Sequence, residues 1–179
     1  MISDEDIKRC VEIEYDCWKN NLAPMVNITE YLYFQTKVSL EIELKKLLSQ
    51  NKTNIILSHQ RVDPQSQGLT GTVITGFVVI SYYQQHNRYV IEKLFVAPEY
   101  QNNHIAQNLL HAVINNFTDL PISMAVFKEN RIMAHILIKY GFRQSYNRSL
   151  SLEYGKNKID IPHSYYLLER NLDEEDILW

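Results

Sequence analysis

Ile91-Glu92-Lys93-Leu94-Phe95-Val96-Ala97-Pro98-Glu99-Tyr100-Gln101-Asn102-Asn103-His104-Ile105-Ala106-Gln107-Asn108-Leu109-Leu110 is the stretch on which the reading of this chain turns. Its first part is apolar and β-branched and closes at Pro98, which has no N–H to give to a sheet ladder, so it reads as the end of a strand. A polar turn follows. From Ile105 to Phe117 the apolar residues Ile105, Leu109, Ala112, Val113 and Ile114 recur at helical spacing. The first turn of that helix lacks a bulky residue at Ala106. A strand–loop–helix unit of this kind aims several backbone amides at one spot, where the helix dipole favours a diphosphate.

Working outward, Thr72–Tyr83 and Arg88–Ala97 read as successive strands, preceded by a short strand at Asn54–Ser58. Residues 59–71 are polar, contain Pro64 and two glycines, and read as a loop. Ahead of them, Ser3-Asp4-Glu5-Asp6 has the form of a capping box opening a helix over about residues 4–20. Pro24 breaks the pattern. A second helix is expected over 29–49, with Leu32, Val38, Ile42 and Leu48 facing inward. Past the central stretch, Ile122–Phe127 reads as a buried strand and Arg131–Tyr140 as a helix stopped by Gly141. Strands over 142–154 and 165–169 close the order α-α-β-β-β-α-β-α-β-β, an α/β (α+β) domain with a mixed sheet. The expected organisation is a single domain: a helical part over 1–50, a sheet with its anion-binding helix over 51–172, and an acidic tail over 173–179.

Composition narrows the function. The chain has 179 residues with a formal net charge of −3, and a binder of nucleic acid needs a basic excess that this one lacks. No stretch reaches the ~20 apolar residues of a membrane span, and Met1-Ile2 runs straight into charged residues with no leader pattern. Cys10 and Cys17 would sit about 10 Å apart on one helix, too far for a disulfide. Free thiols suit a reducing compartment, so a cytoplasmic location is expected. His104 and His111 share a helix but have no third ligand, and no metal is expected.

The quoted stretch resembles the acyl-CoA motif of GNAT acyltransferases, through Val96-Ala97-Pro98, Gln101 and Ala106. Asn130 and Gly141-Phe142 are similar to that family's second motif, and Tyr165–Arg170 to its last strand, so that the likeness runs over about residues 28–172. It implies a GNAT-like mixed, mostly antiparallel sheet flanked by helices, with the family's opening strand missing. It further implies acetyl-CoA as acyl donor, held by Leu94, Phe95, Val96, Gln101, Asn102, Asn103, His104, Ile105, Ala106, Gln107, Asn130 and Leu137. His104 stands where the family has its first glycine; with a side chain there, φ is expected to stay negative. Leu137, four before Gly141, takes the place of the tyrosine that commonly protonates the departing thiolate, while Tyr140 is expected to pack against the sheet.

The resemblance implies transfer of an acetyl group to a primary amine of a small molecule or protein, by direct attack in a ternary complex. An amine is mostly protonated at neutral pH, and Glu92 is the expected base, acting through water. A backbone amide near Val96, freed by a bulge, would hold the oxyanion. The acceptor site is expected between Lys19–Glu30 and a loop over Gly155–Pro162. The resemblance also allows a homodimer paired through the later strands. The alternative is a GNAT-fold module that binds acyl-CoA or a protein partner without useful catalysis.

Overall fold

The computed structural model describes residues 2–28, 31–32, 35–62, 71–154 and 156–170. Helix α1 (Asp4–Cys17) opens on the expected capping box: Ser3 Oγ accepts from the Asp6 amide at 3.1 Å, and the Asp6 carboxylate accepts from the Ser3 amide at 3.1 Å. The chain then widens into a π-helical turn, Trp18–Leu22, and a short helical turn, Ala23–Met25. The extra residue per turn re-aims the side chains that follow α1, and the Trp18 ring packs on Tyr31 at 5.2 Å and Phe127 at 5.7 Å.

Helix α2 (Lys37–Leu48) is shorter than expected, because Thr36 opens it: the Thr36 hydroxyl accepts from the Ser39 amide at 3.1 Å. Tyr31 and Leu32 lie in a separate 3-10 turn. Its inward face was also misread. Leu40 and Leu44 are fully buried, whereas Val38 and Ile42 are 66% and 64% exposed. Both pairs are spaced by four residues, so periodicity alone cannot choose between them.

The sheet has six strands in the order β1-β2-β3-β4-β6-β5. They are β1 (Thr53–Val62), β2 (Gly71–Tyr83), β3 (Arg88–Val96), β4 (Ile122–Phe127), β5 (Arg143–Tyr154) and β6 (Asn157–Leu168). Every neighbouring pair is antiparallel except β3 with β4. No strand precedes Thr53 among the described residues, in keeping with the missing first strand. Strand β1 runs past Ser58, because His59, Gln60 and Arg61 pair with Ile74, Val73 and Thr72 across a bulge. An edge strand tolerates such polar residues, as one side faces solvent. Residues 63–70 of the expected loop and the tail at 173–179 lie outside the described residues.

Strand β6 starts eight residues earlier than expected. Residues 157–162, read as a loop bordering the acceptor, instead pair with β5 from Tyr154 back to Ser149. Pro162 suggested a break, yet only its carbonyl is needed there, where it accepts from the Lys128 amide at 3.0 Å.

Helices α3 (Ile105–Asn116) and α4 (Arg131–Lys139) cover one face of the sheet. Leu109, Leu110, Val113 and Leu137 pack there against Val78, Ile80, Ile91 and Leu94, with Tyr140 at the margin. Gly141, at φ +88°, ends α4 in a Schellman motif: Phe142 N–H reaches Leu137 C=O and Gly141 N–H reaches Ile138 C=O. Helices α1 and α2 cover the other face over Phe77, Val79 and Ala97.

The reassigned face of α2 is testable by urea unfolding. Leu40→Ala should cost about 2–5 kcal/mol, and Ile42→Ala should stay within about 0.5 kcal/mol of the parent.

Candidate active site

Strands β3 and β4 run together for only three pairs, Tyr89–Ile91 against Ile122–Met124, and then part. At that point β3 bulges. Val79 pairs with Lys93 and Ile80 with Ile91, leaving Glu92 unmatched. The bulge was expected near Val96 but falls four residues earlier. What frees the Val96 edge is the parting of the strands. Val96 C=O accepts from Cys17 Sγ at 3.1 Å and from Gln101 Nε2 at 3.2 Å, so it faces away from β2. The next amide, Ala97 N–H, points back to Thr75 of β2. Backbone groups of one strand residue lie on the same edge, which turns the Val96 N–H into the gap. Burial pushes the Cys17 thiol up to about 12, so Cys17 acts as a neutral donor to that carbonyl.

The turn after β3 leads into the candidate anion site. Pro98–Tyr100 forms a 3-10 turn, and α3 begins at Ile105 with no side chain capping its first turn. Its leading N–H groups are therefore orphan donors at the positive end of the helix dipole. Asn102 and His104 both adopt left-handed conformations, at φ +67° and +58°. The negative φ expected at His104 is thus overturned. The chain keeps the backbone path of a glycine at this position and bears the crowding of its Cβ with the backbone, about 1–2 kcal/mol.

A cavity of about 350 Å³ collects most of the residues singled out in the sequence: Leu94, Phe95, Val96, Gln101, Asn102, His104, Ile105, Ala106, Gln107 and Asn130, joined by Cys17, Asn21 and Leu22. Asn103 is exposed and lies outside its lining. Leu137 is fully buried in the core beneath α4, away from the cavity wall. Asn130 caps α4, its Oδ1 accepting from the Met133 amide at 3.1 Å. Asn21 donates to Gln101 Oε1 at 3.3 Å and ties the π-helical turn to the same floor.

A second cavity, about 180 Å³, occupies the wedge between the parted strands and shares Leu22, Leu94, Phe95, Asn130 and Met133 with the first. Glu92 lines it. Burial raises the Glu92 carboxyl, against hydrogen bonds from Tyr83 and Ser81 and the Lys93 ammonium. Its Oε1 is buried without a hydrogen-bond partner among the described residues. Lys93 is instead held by Glu14 at 2.6 Å and Glu43 at 2.8 Å. Burial alone would lower the Lys93 pKa, but the two carboxylates hold it up. Burial pushes the Glu14 carboxyl up, with Lys93 opposing. Among the described residues no group of three or more His, Cys, Asp or Glu side chains is placed to hold a metal ion. No helix there is long and apolar enough to cross a membrane.

Residues 43–152 match the family model of the acetyltransferase (GNAT) family. The chain belongs to this family. No curated protein matches the sequence, but solved structures show the same GNAT fold. The ribosomal-protein-S18-alanine N-acetyltransferase of Escherichia coli superposes with a TM-score of 0.67 at 10% identity, covering 99% of this chain and 96% of that one. NAA60 of Arabidopsis thaliana, solved with a bisubstrate analogue, gives 0.65 at 14% identity and 95% coverage of both chains. The yncA protein of Salmonella typhimurium, solved with acetyl-CoA, gives 0.62 at 13% identity, covering 94% and 90%. Trp18, Cys17 and His163 line these cavities without having been singled out in the sequence, whereas Asn21 lies within the expected acceptor segment Lys19–Glu30. For His163 a signal existed: it continues the two-residue period of the buried Ile161.

Two substitutions test this geometry. His104→Gly should raise the stability to urea by about 0.5–1 kcal/mol, through relief at positive φ. Lys93→Met leaves Glu14 buried without its partner and should cost about 3–5 kcal/mol in the same measurement.

Proposed function

We propose that this protein is an N-acetyltransferase that moves an acetyl group from acetyl-CoA to a primary amine of a small molecule or protein, by direct attack in a ternary complex. The observation that carries the reading is the convergence of two sets of backbone donors and one carboxylate on connected cavities: the uncapped start of α3, the Val96 amide and Glu92 in the wedge. The first-turn amides of α3 suit the diphosphate of the donor. Leu94, Val96 and Met133 line the passage toward the wedge, which suits an extended chain ending in a thioester.

When bound, acetyl-CoA supplies the activated acyl group, and the remaining work falls to the protein. The Val96 N–H is placed to stabilise the charge that builds on the carbonyl oxygen. Glu92, its proton affinity raised by burial, serves as acceptor for the proton that an ammonium substrate must lose. The acceptor enters from the α1 side, between Trp18, Leu22 and Glu92. Leu137 offers no hydroxyl, so the departing thiolate receives no proton from that position; a thiol near pKa 8.5 is a fair leaving group without one. The buried thiols of Cys10 and Cys17 fit a cytoplasmic enzyme.

Leu137 also favours the second reading, a module that binds acyl-CoA without useful turnover. Isothermal titration with acetyl-CoA, followed by acetyl transfer to amines, separates the two. Micromolar binding that Ala106→Trp weakens more than about tenfold, together with transfer, is the expected result. Binding without transfer selects the module, and absence of binding by the parent protein rejects both.

A further inference from the structure

We propose that His163 is a catalytic residue of this site, taking a proton from the attacking amine nitrogen at Nε2 and returning it to the leaving thiolate. The inference rests on the acetyltransferase reading above. His163 lies on β6 opposite Phe127 of β4, is 7% exposed, and lines the same wedge cavity as Glu92 and Trp18. Its Nδ1 sits 2.8 Å from the Ile161 carbonyl. A carbonyl can only accept, so Nδ1 carries the proton and the neutral ring keeps its lone pair on Nε2. Nε2 makes no hydrogen bond to the described residues. The ring is wedged edge-on against Phe127, with centroids 4.6 Å apart, which fixes the direction in which that lone pair points.

Burial pushes the imidazole below its ordinary pKa, against the Ile161 hydrogen bond and the charge of Glu129. Other ionisable groups on the surrounding elements include Glu92 and Lys93 of β3, Lys128 after β4, Arg148 opposite on β5, Asp160 and Tyr165 of β6 and Lys19 in the π-helical turn. His163 is therefore neutral at pH 7, the state a base requires.

Two protons must leave the nitrogen of an ammonium substrate, and Glu92 accounts for the first. His163 accounts for the second. As the amine lone pair forms the N–C bond and the carbonyl π pair moves onto oxygen, Nε2 accepts the proton shed by the now tetravalent nitrogen. When the oxygen pair returns and the C–S bond breaks, the imidazolium gives that proton to the thiolate sulfur. The products are amide, thiol and neutral imidazole, so His163 ends as it began and no second acid is needed where Leu137 stands.

The test uses the whole protein with acetyl-CoA and three acceptors: 2-phenylethylamine, spermidine and a peptide with a free N-terminus. His163→Gln should lower kcat by about 10²-fold, leave the KM for acetyl-CoA within about twofold, and remove from the acid limb of the pH profile the imidazole component below about 6.5, leaving that of Glu92. Imidazole added to His163→Ala should restore part of the lost turnover. Nitrogen-15 NMR of the parent protein, which needs no variant to fold and no turnover, should show the Nδ1–H tautomer with a depressed pKa. Parental kcat in His163→Gln or a proton found on Nε2 of the neutral ring would each overturn the proposal. Failure of the parent to bind acetyl-CoA, or binding with transfer to none of the three amines, would instead reject the function on which it rests.

Discussion

The parting of β3 from β4 after Ile91 and Met124 is the constraint around which the rest of the structure is arranged. Neither strand is free to close the gap. Strand β3 stays paired to β2 as far as Val96, and β4 is paired along its whole length to β6. A parallel pair that ends after three residues leaves two unpaired backbone edges, and unpaired polar groups away from water cost about 1–3 kcal/mol each. The N-terminal helix answers part of that demand. Cys17 and Gln101 together satisfy the Val96 carbonyl. The matching amide turns into the gap, where the proposed acyl donor would meet it.

The bulge at Glu92 explains a second feature. In a regular strand Glu92 and Lys93 would point to opposite faces. Ile91 and Leu94 both pack under α3 and α4, so the unmatched residue turns both charged side chains toward α1 and α2. Lys93 then meets Glu14 of α1 and Glu43 of α2, an anchor buried at Lys93 and Glu14 and exposed at Glu43 that joins both helices to the strand. Replacing such a group with packed apolar residues is often neutral or stabilising in itself. Its value here is positional. It fixes where α1 crosses the sheet, and hence where Cys17, Trp18 and Asn21 fall on the cavity wall.

The sequence is informative where a residue type admits few backbone solutions. Pro98, Gly141 and the stripe from Ile105 to Ile114 mark a strand end, a helix end and a helix face, and the structure places all three as read. It is ambiguous where two patterns satisfy the same rule. Val38 with Ile42 and Leu40 with Leu44 are equally spaced, and only the sheet beneath decides which pair is buried. Polar strands are harder still. His59–Arg61 and Asn157–Ile159 owe their extended form to partners across the sheet, information that no local window contains. His163 stands between the two: its burial follows from the two-residue period, but its chemistry comes from Ile161 and Phe127 rather than from a motif.

The same distinction separates two positions beside the anion site. At Gly76 a Cβ would stand 2.8 Å from the Phe95 carbonyl oxygen and 3.2 Å from Ile105, so the first turn of α3 could not lie so close to the sheet. The carbonyl oxygen is backbone and cannot swing aside, and the Ile105 contact is a side-chain methyl on the first turn of α3. At position 104 the demand is only for positive φ, which a side chain meets at about 1–2 kcal/mol. The protein has glycine at 76, where a side chain has no room, and histidine at 104, where a side chain is merely disfavoured. Close approach of backbone to helix is therefore the stricter requirement of this site. That is why the cradle keeps its shape although the residue at its rim is not glycine.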